Sequence, residues 1–125
     1  MTRNGDSTKL DSIQLYLQKK KLVANREVNV PVDEKRYREI DMRIKFPKGF
    51  TDLLLDGYQI HGCMDMDQNN ETRRRNMDLT KSGLEWRIID EELCSLLKIP
   101  KEAMAYYLAL EGNMHLLAKH DSQIL

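Results

Sequence analysis

The chain has 125 residues, 41% of them hydrophobic and 32% charged, which is enough to bury one sizeable core and too little for two. Twenty Lys and Arg are cancelled by twenty Asp and Glu, and a pI near 6.8 excludes a global field that would draw in nucleic acid or an anionic membrane. The longest apolar run, Ala103 to Leu110, is far shorter than the ~20 residues that span a bilayer, and Cys63 and Cys94 are too few for a disulfide framework, so a reducing, intracellular and cytoplasmic setting is expected.

Residues 1–7 are polar and are expected to form a disordered tail, ahead of a single domain over residues 8–120. Thr8 and Asp11 make a weak capping box, and Leu10, Ile13, Tyr16 and Leu17 then share one helical face up to about Ala24, beyond Lys19, Lys20 and Lys21. Val28, Val30 and Val32 alternate with polar residues, and Pro31 assigns that strand to a sheet edge because it has no N–H to give the ladder. Asp33 to Arg36 reads as a charged turn. Ile40, Met42, Ile44 and Phe46 then alternate cleanly with charged residues, predicting a second strand with one buried face. Leu53, Leu54 and Leu55 lie in a short stretch closed by Gly57, read as a short helix with a glycine cap.

Tyr58, Ile60, Met64 and Met66 predict a third strand. Met77 and Leu79, then Leu84, Trp86 and Ile88, repeat the two-residue period around Lys81-Ser82-Gly83 and predict a β-hairpin closed by the glycine. From Leu93 the period is helical. A short leucine helix ends near Ile99, Pro100 opens a longer helix through Ala103 to Leu110 and on to about His120, and residues 121–125 read as a tail. The expected fold class is α+β: an antiparallel sheet of about five strands, with an N-terminal helix and two C-terminal helices packed on one face.

Two cationic runs, Arg73, Arg74, Arg75 and Lys19, Lys20, Lys21, are candidates for neutralising phosphates on nucleic acid. Leu53 to Leu84, with D-G-Y before one strand, an arginine-rich turn and L-T-K-S-G after it, resembles the wing of winged-helix regulators of the MarR kind. That resemblance implies DNA backbone and minor-groove contacts by Arg73 to Arg75. Upstream the chain departs from the family, because the place of the recognition helix reads as the strand Glu39 to Phe46.

His61, Cys63, Asp65 and Asp67 recur at strand spacing, so pairs of them can share a metal; His115 and His120 are the further ligands by type. A solvent-facing strand is the plainer account, and neither a metal nor a cofactor is expected. Asp65, Asp67 and Asn69 begin like an EF-hand, but Asn70, Thr72 and Asn76 stand where glycine, an apolar residue and glutamate are needed. No nucleophile motif, P-loop or dinucleotide fingerprint occurs, and Cys94 sits among leucines where burial makes a thiol inert. No residue is therefore assigned as catalytic.

Ala103 to Leu110 is apolar around the whole helix, and a helix packed on one sheet face needs only one apolar stripe. Either the leucine helix covers the remainder or a partner does. The expectation is a small non-enzymatic interaction protein, of a size and composition that suits a viral or phage accessory protein, which oligomerises or docks a protein through Met104, Tyr106, Tyr107 and Leu110. The alternative is a nucleic-acid-binding regulator that uses the two cationic runs.

Overall fold

The computed structural model describes residues 4–56 and 66–124. Their order is α1 (Asn4–Lys19), β1 (Val23–Pro31), β2 (Tyr37–Phe46), β3 (Gly49–Asp56), α2 (Met66–Lys81), β4 (Trp86–Asp90), α3 (Glu91–Leu97) and α4 (Lys101–Ile124). The protein is α+β, with one four-stranded sheet in the order β1-β2-β3-β4 among the described residues. Helix α1 begins at Asn4 and α4 runs to Ile124, so residues expected as tails are helical at both ends.

Helix α1 stops well before Ala24. Lys21 takes a left-handed φ of 70°, its N–H donates to the Gln18 carbonyl at 2.9 Å, and Leu22 N–H donates to the Leu17 carbonyl at 3.1 Å. These paired bonds satisfy the last carbonyls of a helix and turn the chain out of it. The early stop frees Val23 onward for β1, which occupies an edge as Pro31 requires.

Strand β2 pairs antiparallel with β1 and β3, but its burial does not alternate throughout: Ile40, Asp41 and Met42 are all buried. Met42 and Ile44 pack with Leu10, Ile13 and Leu17 of α1 and Ala105 and Ala109 of α4. Ile40 joins Val30, Leu54 and Leu79 of α2 on the opposite face. The exchange of faces falls at Asp41 and, on the neighbouring strand, at Glu27, whose φ of 55° breaks the extended geometry that a strict period of two needs.

Three expectations are corrected. Leu53 to Leu55 are strand, not helix: β3 lies inside the sheet, Leu53 and Leu55 face α1 and α4, and Leu54 faces α2. An unbroken apolar run suits a strand covered on both sides. The hairpin of residues 77–88 does not form, because residues 66–81 are helix α2 and only Leu79 of the apolar pair is buried. Gly83 does take the positive φ expected, 75°, but as the stop of a helix: Gly83 N–H donates to Thr80 and Leu84 N–H to Leu79. The sheet is mixed and not antiparallel, since β4 runs parallel to β3 with Leu54 beside Ile88. A parallel neighbour needs a crossover, which α2 supplies across the second face. The strand expected from Tyr58 falls mostly on residues 57–65, outside the described ones, and its last residue, Met66, instead opens helix α2.

Helices α1, α3 and α4 share one face of the sheet, and α2 covers the other. Asp90 caps α3 by accepting from the Glu92 and Leu93 amides, and Lys98 closes it in the left-handed conformation. Helix α4 then continues unbroken through Gly112. A Cβ there would lie 2.6 Å from Thr51 Cγ2 and closer still to Oγ1, so the glycine permits α4 to approach β3. Gly112→Ala is expected to lower the melting midpoint, because overpacking of about 1–3 kcal/mol outweighs the ~1 kcal/mol gained in helix propensity. In a Thr51→Ala background, which removes the two most crowded atoms, the same substitution should cost less; an equal cost in both backgrounds by thermal melts would refute this packing account.

Candidate functional site

Helix α4 sets small residues closest to the sheet and leaves several large ones outward. Ala105 and Ala109 are fully buried against the sheet, and Ala109 gives its carbonyl to the Thr51 hydroxyl at 3.3 Å. Leu116 lies over Gly49. On the opposite side, Tyr107 is 61% exposed, Met114 67% and Leu117 41%, with Ala103 and Leu110 half-buried between them. Residues 103, 107, 110, 114 and 117 recur every four and three positions, which places them on one stripe of a helix. The leucine helix does not cover that stripe. Cys94 of α3 points into the core, where burial pushes its thiol up, while Leu93, Leu96 and Leu97 are themselves exposed.

The interface residues expected from the sequence therefore divide. Met104 and Tyr106 pack against the protein's own core, and Tyr106 meets the Tyr16 ring of α1 edge to face at 6.3 Å, with Lys20 over both rings. Tyr107 and Leu110 lie on the outward stripe. Met114 and Leu117 join them there without having been singled out, although their spacing from Tyr107 carried the signal. The stripe sits on a fixed support. Lys9 of α1 pairs with Glu91 of α3 at 2.9 Å, and the Ser12 hydroxyl donates to Glu102 of α4.

A polar lock ties α4 to the end of the sheet. Buried Glu85 accepts from Arg87 at 2.8 Å and from Lys119 at 3.3 Å, lies 3.3 Å from His115 Nδ1, and Arg87 reaches on to Glu111 at 2.9 Å. Burial raises the Glu85 carboxyl, but the hydrogen bonds from Arg87 and Lys119 more than offset this and leave it below its ordinary value. The other buried carboxylate pair behaves in the opposite way. Asp52 receives Arg43 through two bonds of 2.8 and 3.0 Å, with the guanidinium stacked 3.7 Å from the Phe50 ring, and burial still holds its carboxyl above the usual range.

The cationic runs do not make one patch. Lys19 to Lys21 end α1 on one face of the sheet, whereas Arg73 to Arg75 lie on α2, which covers the other. Arg75 is held by Asp56 at 2.7 Å and Arg74 by Glu71 at 3.4 Å, while Arg73 is exposed. The arginines sit in a helix and not in a turn between strands, so the wing is absent from this region. Arg36 and Arg38 likewise spend their charge on Asp78, and Arg38 also on Glu71.

Of the metal candidates, His61, Cys63 and Asp65, and the Asp67 side chain, lie outside the described residues. His115 is engaged with Glu85 and Arg87. Among the described residues no three His, Cys, Asp or Glu side chains group as metal ligands. Sequence reasoning passed over Asp41. This carboxylate is buried between β2 and β3 and accepts the Leu55 amide at 2.8 Å, one residue before Asp56. Asp56 and Asp90 end the parallel pair β3 and β4 side by side. Asp41 gave no sequence signal because it occupies a polar place in an alternating strand.

The Glu85 lock has a pH signature. A depressed carboxyl stabilises the fold above its unfolded value, near 4.5, and that contribution is lost as pH falls through the lower folded value. Glu85→Gln should therefore destabilise the protein at neutral pH and flatten the loss of stability below about pH 4.5, read by denaturant unfolding at a series of pH values. Asp52, shifted upward, adds a slope of the opposite sign, so an acid limb as steep in Glu85→Gln as in the wild type would remove the lock from this account.

No helix among the described residues is long and apolar enough to cross a membrane. No family model matches the chain, and no curated protein matches it. A crystal structure of a protein of unknown function, AF1548, is similar at 14% identity and a TM-score of 0.44, over 73% of this chain and 54% of that one, so the chain spans about half the length of that neighbour.

Proposed function

We propose that the protein is a protein-docking module whose contact surface is the outward stripe of α4. The observation that carries this reading is that Tyr107, Met114 and Leu117 stand uncovered on the side of α4 opposite Ala105 and Ala109. Single exposed apolar residues are ordinary, but a row at helical spacing on a helix already anchored by its other face is the arrangement that helix-in-groove recognition uses. Tyrosine and methionine suit it, since both bury large areas and methionine adapts to an irregular partner. The nucleic-acid reading has less support, because Arg74 and Arg75 are paired within the domain and the lysines lie across the sheet.

Tyr107→Glu is the test. As a substitution at an exposed site it should shift unfolding free energy by no more than about 0.5 kcal/mol, while lowering the solution mass or the recovery of bound protein. Unchanged mass and unchanged recovery in a folded variant would refute the assignment.

A second reading is metal-assisted hydrolysis of a phosphate ester at Asp41 and Asp56, in which a metal takes the place at Asp56 that Arg75 now holds through bonds of 2.7 and 3.2 Å. It rests on the burial of Asp41, since a carboxylate inside a sheet is costly and such groups concentrate at functional sites. Asp56 ends a strand beside a parallel neighbour, the kind of position where open sheets gather ligands, and His61 and Cys63 follow it in the chain. Asn at position 41 keeps an oxygen for the Leu55 amide, so Asp41→Asn should fold and yet abolish Mn2+ binding measured by calorimetry. Equal heats of binding in both proteins, or none in the wild type, would dismiss this reading.

A further inference from the structure

We infer that the occupant of the α4 stripe is a second copy of α4, packed antiparallel across a two-fold axis between Leu110 and Met114. This deepens the docking reading and rests on it. Ala103, Tyr107, Leu110, Met114, Leu117 and Asp121 follow one another at intervals of four, three, four, three and four residues. That is the spacing of a coiled-coil seam, which fits another helix and fits a sheet or an extended peptide poorly. The row is compatible with its own reversal: an antiparallel copy sets Leu110 against Met114, Tyr107 against Leu117 and Ala103 against Asp121.

Charge favours this orientation. Asp121 closes one end of the stripe, and exposed Lys19 stands at the other, lining a groove of about 280 Å³ with Leu15, Tyr16, Ala103 and Glu102, whose carboxylate is already engaged by Ser12 and Lys101 of its own chain. Antiparallel packing brings Asp121 of each copy to the Lys19 end of the other, and also sets the two helix dipoles head to tail. Parallel packing sets Asp121 against Asp121. Of the residues flanking the seam, Met104, Tyr106, Asn113 and Ala118 are uncharged, Glu111 is neutralised by Arg87 within its own chain, and His120 faces Met104 of the other copy. The stripe is too short to hold two free helices together, but α4 is already fixed against its own sheet, so pairing costs little further ordering.

Sedimentation equilibrium of the full chain is expected to give twice the 14.7 kDa chain mass at the concentrated end of a dilution series. Met114→Glu should return the single-chain mass with circular dichroism unchanged and the melting midpoint of the dilute wild type. Orientation follows from oxidation in a Cys63→Ser background, where Cys94 stays buried. Antiparallel packing cross-links a mixture of Tyr107→Cys and Leu117→Cys and neither alone, because like positions lie about 15 Å apart along the axis. A wild-type monomer throughout the series overturns the second copy and leaves the docking stripe to the Tyr107→Glu experiment. A dimer that survives Met114→Glu overturns both assignments, and cross-linking of each single variant with itself overturns the antiparallel arrangement.

Discussion

Strand β3 must be dry on both faces, and most of the architecture follows from that requirement. Leu53 and Leu55 look one way and Leu54 the other, so neither side can be left to water without exposing large apolar side chains. One face is covered by α1 and α4. The other can be covered only by an element that leaves β3 and returns, and α2 does so as the crossover to β4, which then lies parallel to β3. Among the described side chains of α2 only Leu79 is fully buried, and most of the others are charged or polar. Its place is held by the leucine under it and by ion pairs from Arg36, Arg38 and Arg75, and not by an apolar stripe of its own.

The internal use of arginine shapes what is left for function. Arg43, Arg75 and Arg87 each bind a carboxylate of the domain, and two of those carboxylates, on Asp52 and Glu85, are buried. Removing either arginine from its buried partner would leave an uncompensated charge in the interior, which is costlier than the pair itself. Of the cationic run on α2, Arg75 thus acts as an internal cross-link to the sheet, as Arg87 does between the sheet and α4.

Helix α4 meets the sheet through small residues flanked by Met104, Tyr106 and Leu108. Ala105, Ala109 and Gly112 face β3, so the helix comes close enough for Thr51 to bond the Ala109 carbonyl, and the bulky Tyr107, Met114 and Leu117 are directed outward. Close backbone approach on one side and an uncovered apolar row on the other belong to one design. The helix is held by close contacts of its small residues together with Met104, Tyr106 and Leu108, and Tyr107, Met114 and Leu117 are left exposed.

The sequence by itself determined the elements whose signals are local: an edge strand through Pro31, the strand β2, the short leucine helix before Pro100, the positive φ of Gly83, and an apolar circumference on α4 too large for one sheet face. Tertiary structure alone decided the rest. A leucine triplet is a strand or a helix according to whether both sides are covered, and that depends on α2 and α4, far away in the chain. Met77 and Leu79 share a two-residue spacing with strands, yet the helix and its single buried leucine win because Leu79 finds Ile40 and Leu54 beneath it. The α+β class was therefore legible, while the parallel pairing of β4 and the number of strands were not. Tyr107 and Leu110, two of the five apolar residues on the outward stripe of α4, were singled out by the sequence, together with Met104 and Tyr106, which pack on the core instead. Which apolar side chains of α4 stay uncovered was settled by Tyr16, Thr51 and Gly49, residues that meet the helix only once the sheet has formed.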